Sequence, residues 1–238
     1  MSKQVERDYA DKVDRQHLLD KPFNDPRVFR EFAIVLDLFR QRVPGGKVLG
    51  LGCGPGWTSL LLGRAGFHVL GIDISQRMIE IARQRRDIDG ASGVAFELAD
   101  MELLDLERHD FDAALFFDCL HHCPAYQAVL QRTSAHLRPG GYVVLFETTW
   151  LHRISPHARQ AVRKYGVTEL GFTRRQLCRA LAASGFPRAT FYHDPGPCYR
   201  GLGGFLKAAA RLSCDYWFVY PQAKNIVLAQ KAESPAPK

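Results

Sequence analysis

Residues 48–56 read VLGLGCGPG, a short apolar run that breaks into alternating glycines and runs on into WTSLLLGRA. The pattern predicts a buried strand, a sharp turn and a helix. Glycine permits that turn and lets a ligand approach the backbone with no Cβ in the way. In a parallel sheet, ligands gather where strands end in this manner. The loop therefore predicts both a fold class and the place of a site.

The surrounding chain extends the same alternation. Strands are expected at Lys47–Leu51, Phe67–Ile72, Val94–Leu98, Phe111–Phe117 and Tyr142–Phe146. Helices are expected at Trp57–Ala65, Gln76–Arg86 after an N-cap at Ser75, and from Pro124 to about Leu137. Arg138–Gly141 reads as a turn. Such alternation with short connections implies a parallel sheet wrapped by helices. Later, TRRQ at 173–176 has capping-box spacing before a helix that ends at Gly185, and Ala189–Tyr192 and Asn225–Leu228 read as two more strands. Asp25-Pro26 opens a helix with Phe29, Phe32, Ala33, Leu36 and Phe39 on one face.

The glycine spacing narrows the ligand. The dinucleotide pattern G-x-G-x-x-G fails in both registers, because its third glycine falls on Pro55 or on Trp57. A phosphate-binding loop fails as well, since no lysine follows Gly56. Asp73 ends the second strand 21 residues after Gly52, near the ~20-residue offset at which an acid meets a ribose. A carboxylate accepts from two neighbouring hydroxyls, which a ribose offers. Asp100, after the third strand, can take an adenine amine, and Met101 can pack on the ring. Asp73 taken alone reads equally well as a helix N-terminal acid beside Ser75.

With those residues in place, the chain resembles the class I S-adenosylmethionine-dependent methyltransferases. VLGLGCGPGWTSLLLGRAGFHVLGIDISQRMIEIA is similar to the family's first two motifs, FDAALFFDCLHHCP to its fourth-strand motif, and LRPGGYVVLFE to its fifth. The likeness covers about residues 45–147 and continues loosely through FTRRQLCRALAASGF. It implies a doubly wound α/β sheet of seven strands, a Rossmann-like methyltransferase fold with one antiparallel strand near the C-terminus. It also implies S-adenosylmethionine as cofactor, bound by Gly52, Cys53, Gly54, Asp73, Ile74, Met78, Asp100, Met101 and Asp118. The domain layout that follows is an N-terminal helical lid at 1–43, a methyltransferase-like domain at 44–232 and a tail at 233–238. Substrate-side insertions are expected at 148–172 and 194–223.

One position departs from the family pattern. Where the resemblance leads one to expect an aspartate, in V-L-D-x-G-C-G, this chain has Gly50. That acid helps hold the cofactor's ammonium, and a carboxylate beside an amine favours its charged form. Its loss is compatible with an amine that reacts. Three function readings follow: methyl transfer to O or N of a small molecule; cyclisation of the cofactor to azetidine-2-carboxylate with release of methylthioadenosine; and a partner protein that has lost the cofactor. A fourth, a nucleic-acid methyltransferase, rests only on the net charge of +7.

Methyl transfer from a sulfonium asks for in-line alignment and an acceptor for the proton. His121 and His122, after the fourth strand, are the base candidates, with Tyr9 beside them, and Glu147 is a further one. Trp150 and Tyr199 are candidate walls, since aromatic faces attract a cation such as the sulfonium. No His/Cys/Asp set has metal-ligand spacing, and adjacent His121 and His122 are not expected to face one ion together. Six scattered cysteines without a C-x-x-C pair read as free thiols. The N-terminus MSKQVERDYADKVDR is too polar for a signal peptide, and no apolar run approaches a membrane span, so a cytoplasmic monomer or homodimer is expected.

Overall fold

The computed structural model describes residues 3–43, 45–192, 202–207, 209–210 and 224–233. Seven strands form one sheet in the order β3-β2-β1-β4-β5-β7-β6. They are β1 Lys47–Leu51, β2 His68–Asp73, β3 Val94–Leu98, β4 Phe111–Phe117, β5 Leu137–Thr148, β6 Arg188–Tyr192 and β7 Lys224–Gln230. Pairs β1–β2, β1–β4, β2–β3 and β4–β5 are parallel. Strand β7 runs antiparallel to both β5 and β6, which makes it the one reversed strand, as expected.

The helices are α1 Lys3–Lys12, α2 Arg15–Asp20, α3 Pro26–Arg42, α4 Trp57–Arg64, α5 Gln76–Asp89, α6 Tyr126–His136, α7 Pro156–Tyr165 and α8 Arg174–Ala183. Local chemistry sets most of their starts. Asp25 accepts from the N–H groups of Arg27 and Val28 with Pro26 at the first helical position, and Ser75 accepts from Met78. Thr173 and Gln176 close the expected capping box.

Each face of the sheet carries its own core, as a sheet wrapped on both sides requires. On one face Leu49, Phe116, Leu145, Val227 and Leu177 pack with α6 and α8. On the other, Val48, Leu115, Val144 and Phe146 pack with α3 and α4. There Phe32, Trp57 and Phe117 meet edge to face, with centroids 5.0 to 5.6 Å apart, and Phe117 stacks on Phe146. Each such pair adds about 0.5–1.5 kcal/mol beyond area burial.

Two expectations need correction. The buried face of α3 is Phe32, Val35, Leu38 and Phe39, whereas Phe29 and Ala33 are exposed. The expected face holds at Phe32 and Phe39, and Leu36 packs against the same core, while Val35 and Leu38 turn the buried stripe away from Phe29 and Ala33. Arg138–Gly141 does not separate α6 from a fifth strand. It lies inside β5, as an irregularity where the partner of β4 advances from Leu137 opposite Phe111 to Tyr142 opposite Ala113. Among the described residues, no helix is long and apolar enough to cross a membrane.

Candidate active site

The carboxyl ends of β1 to β5 converge on one edge, and the order of strands reverses between β1 and β4, the place where such sheets open a crevice. The glycine loop lies there. Gly52 has φ +59°, and a Cβ on it would fall 2.6 Å from Cys119 Cβ and 3.0 Å from Met101 Cε, so only glycine fits. Gly54 has φ +52° and faces open space, with nothing within 4 Å of where a Cβ would stand. Loop and acid are joined. Asp73 Oδ2 accepts from Gly54 N at 2.8 Å and Oδ1 accepts from Ser75 N at 2.9 Å. The helix-start reading of Asp73 is thus met by the bond from Ser75, and the bond from Gly54 sets the same carboxylate beside the glycine loop. Desolvation pushes its carboxyl up, against the downward pull of N–H donors on Ser75, Gly54 and Ile74.

The other expected cofactor residues fall around this loop in different ways. Met101 packs against Gly52, as just described. Asp100 accepts from Glu102 N at 2.9 Å and pairs with Lys3 Nζ of α1, which also stands 3.3 Å from Glu102. Cys53 is buried beneath the loop, its thiol 3.6 Å from Gly54 O. Met78 is buried with Leu18 and Ile81 in a small cluster under α2. Asp118 follows β4 with φ +56° and pairs with Lys224 Nζ of β7. Desolvation works against its charge, but Lys224 and the neighbouring histidines outweigh it and hold the carboxyl well below its ordinary range.

Gly50 has a packing explanation. A Cβ there would stand 3.2 Å from Ser59 Oγ of α4 and 3.7 Å from Gly71 Cα on the paired strand. Phe96 lies over Gly71 in turn. The two glycines make a flat patch on which α4 sits close. Ser59 Oγ, buried there, has no hydrogen-bond partner among the described residues.

A second cluster lies across the crevice. Glu147, at the end of β5, is fully buried. Its Oε1 accepts from Cys119 N at 2.9 Å and Leu120 N at 2.7 Å, and its Oε2 accepts from His121 N at 3.3 Å. The same Oε2 lies 2.9 Å from His121 Nδ1. One carboxylate thus caps the tight turn Leu120–His122 and orients the first histidine. His121 Nε2 points toward Glu169 Oε2 at 3.7 Å, and Glu169 is also held by His152 Nε2 at 2.6 Å. His122 Nδ1 lies 2.8 Å from Thr168 O, and Thr168 N donates to Glu6 of α1 at 2.8 Å. Burial pulls His121 down, yet the hydrogen bond and charge of Glu147 win and hold it above its ordinary value. Burial and the charge of His121 push His122 down to about 4. The two adjacent imidazoles are thus driven apart, one toward the charged form and one neutral.

The expected pair His121 and His122 is therefore brought together, with Glu147 as its support. Tyr9 falls on α1, but its side chain lies outside the described residues, as do Tyr199 and most of the 194–223 insertion. Trp150 is 43% exposed. Sequence reasoning missed Glu6, His152 and Glu169, and no spacing along the chain could have found them. It also judged that the adjacent histidines would not share an ion. In the fold, one donor atom from each of His121, His122 and Glu169 lies within 4.8 Å of the other two.

Residues 48–141 match the family model described as a methyltransferase domain. The chain is 35% identical over 109 residues to a ubiquinone biosynthesis O-methyltransferase of Xylella fastidiosa, covering 44% of each protein. It is 30% identical over 124 residues to phosphoethanolamine N-methyltransferase 2 of Caenorhabditis elegans, covering 52% of this chain and 28% of that one. The solved structure of an S-adenosylmethionine-dependent methyltransferase from Mesorhizobium loti superposes with a TM-score of 0.63 at 22% identity, covering 84% of this chain and 98% of that one. The chain spans about half or less of the length of the curated relatives it matches. In its glycine loop, its sheet order and its matched segment 48–141, the chain is similar to the class I S-adenosylmethionine-dependent methyltransferases.

Proposed function

We propose that this chain binds S-adenosylmethionine across Gly52–Gly54 and Asp73 and transfers its methyl group to an oxygen or nitrogen of a small molecule. The observation that carries the proposal is the bond from Gly54 N to Asp73, which places a carboxylate beside a glycine facing open space. The ligand's ribose hydroxyls are the partners such a carboxylate suits. His121, fixed by Glu147, and His122, held on Thr168, face the acceptor side and are the two candidates for the group that takes the acceptor's proton. Relatives named as O- and N-methyltransferases support the reaction class. Residues 1–43 act as a lid in this reading, since α1 reaches Asp100 at one end of the crevice and Thr168 at the other.

Cyclisation of the cofactor rested on Gly50 as a lost acid. The contact with Ser59 gives that glycine a reason in packing, so no observation now favours cyclisation over methyl transfer.

One experiment addresses both readings. Titration calorimetry should show S-adenosylmethionine binding, and Asp73→Asn should weaken it by about ten- to a hundred-fold, the worth of a charge-assisted hydrogen bond. Equal affinity in the variant would overturn the assignment of the site. Incubation with the cofactor alone should yield no methylthioadenosine, and its accumulation would replace methyl transfer with cyclisation.

A further inference from the structure

We infer that His121, His122 and Glu169 form a binding site for one divalent cation of the zinc class. One donor atom from each lies within 4.8 Å of the others. His121 Nε2 and Glu169 Oε2 are 3.7 Å apart, close to the roughly 3.4 Å that separates two ligands of a tetrahedral ion at ~2.1 Å. Closing the set asks for side-chain adjustment and no change of fold.

The surroundings prepare these groups as ligands. A metal-binding histidine offers one ring nitrogen and anchors the other, through its N–H, on a carboxylate or a backbone carbonyl. Both histidines do so here. His121 Nδ1 is anchored on Glu147, and His122 Nδ1 on the carbonyl of Thr168. In the neutral tautomer that satisfies each anchor Nε2 keeps its lone pair, and at His121 the ion takes the place of the proton that Glu147 favours. Glu169 is steadied in turn by His152. The segment that carries it is tied to the turn itself, because Leu170 N donates to His121 O at 2.9 Å. The imidazole rings lie 4.1 Å apart and tilted by 41°, so neighbours in sequence lie against one another.

The donor set selects the ion. Two imidazoles and a carboxylate suit zinc, cobalt or iron(II), whereas magnesium and calcium take oxygen ligands. The second carboxylate of the cluster, Glu147, is saturated by three backbone N–H groups and His121, so it supports and does not ligate. Three protein ligands leave a fourth position for a water or for an acceptor oxygen. That use rests on the methyltransferase reading, and the binding itself does not.

The test uses the intact chain, stripped with a chelator and titrated with zinc by calorimetry and with cobalt(II) by visible absorption. One equivalent should bind, with cobalt bands of nitrogen and oxygen ligation. Glu169→Gln and His122→Ala should each weaken zinc by about a hundred-fold or more. Glu147→Gln should cost about 10–100-fold, as loss of an anchoring carboxylate does. His109→Ala, which alters a histidine stacked on His136 elsewhere, should change nothing. Circular dichroism and S-adenosylmethionine titration of each variant report its fold and the methyltransferase reading separately. No binding, or equal binding in Glu169→Gln and His122→Ala, overturns the inference. Sulfur-to-cobalt charge-transfer bands overturn it too, by moving the ion to the buried thiols Cys119 and Cys123.

Discussion

At the scale of single residues, the glycine that departs from the family pattern has become a matter of packing. Gly50 and Gly71 let α4 come close, and Ser59 Oγ is the atom that fills the space. A buried hydroxyl without a partner costs about 1–3 kcal/mol. Ser59→Ala is accordingly expected to stabilise the protein by about 1 kcal/mol, read as a higher urea midpoint at unchanged slope. A lower midpoint would mean that the hydroxyl has a partner. Gly50→Asp is then no clean probe of cofactor chemistry, because its Cβ alone would press on Ser59. Asp73 shows a different case: of its two candidate roles, the helix-start acid is visible in the bond from Ser75 N, and the ribose partner remains the proposal made above. Its two oxygens serve the helix start and the glycine loop together.

At the scale of elements, legibility followed the range of the interactions. The strands β1 to β5 and the helices between them were visible because their signals are local: an apolar run, a cap, a stopping glycine. The capping box at Thr173 is of that kind. The rotation of α3 was not visible, because which of its apolar residues are buried depends on Trp57 and Phe67 far along the chain. The histidine cluster was half visible. His121 and His122 stand at a strand end and declare themselves, whereas Glu169 arrives through tertiary hydrogen bonds. Asn225 of β7 is central to that arrival, since its Nδ2 donates to Thr148 O at 3.1 Å and to Phe172 O at 2.9 Å. Asn225→Ala is expected to cost about 2 kcal/mol by leaving the Phe172 carbonyl unpaired and taking one of two donors from Thr148 O, which keeps the N–H of Phe172, and to speed amide exchange at Leu170 and Phe172. Unchanged exchange there would show that the segment is held without it.

At the scale of the whole molecule, the sheet is the expected one, down to its single reversed strand, while the N-terminal segment expected as a helical lid carried no signal of which residues it would touch. Helix α1 crosses the crevice. It sets Lys3 on Asp100 beyond β3, and Glu6 on Thr168 beside His122. An ammonium of the chain thus occupies the carboxylate expected to receive the cofactor's adenine amine, so the two compete for one acceptor. The ligand pays a conformational tax equal to the fraction of molecules in which Lys3 has let go. An exposed ion pair is worth about 0–1 kcal/mol, so Lys3→Ala is expected to tighten S-adenosylmethionine by up to about five-fold. Looser binding in that variant would instead make Lys3 part of the ligand's own contacts. Because the same helix holds the acceptor side, release at one end loosens the other. On the proposed function an order of arrival is expected, in which the cofactor displaces Lys3 first and the acceptor enters a doorway the cofactor has opened.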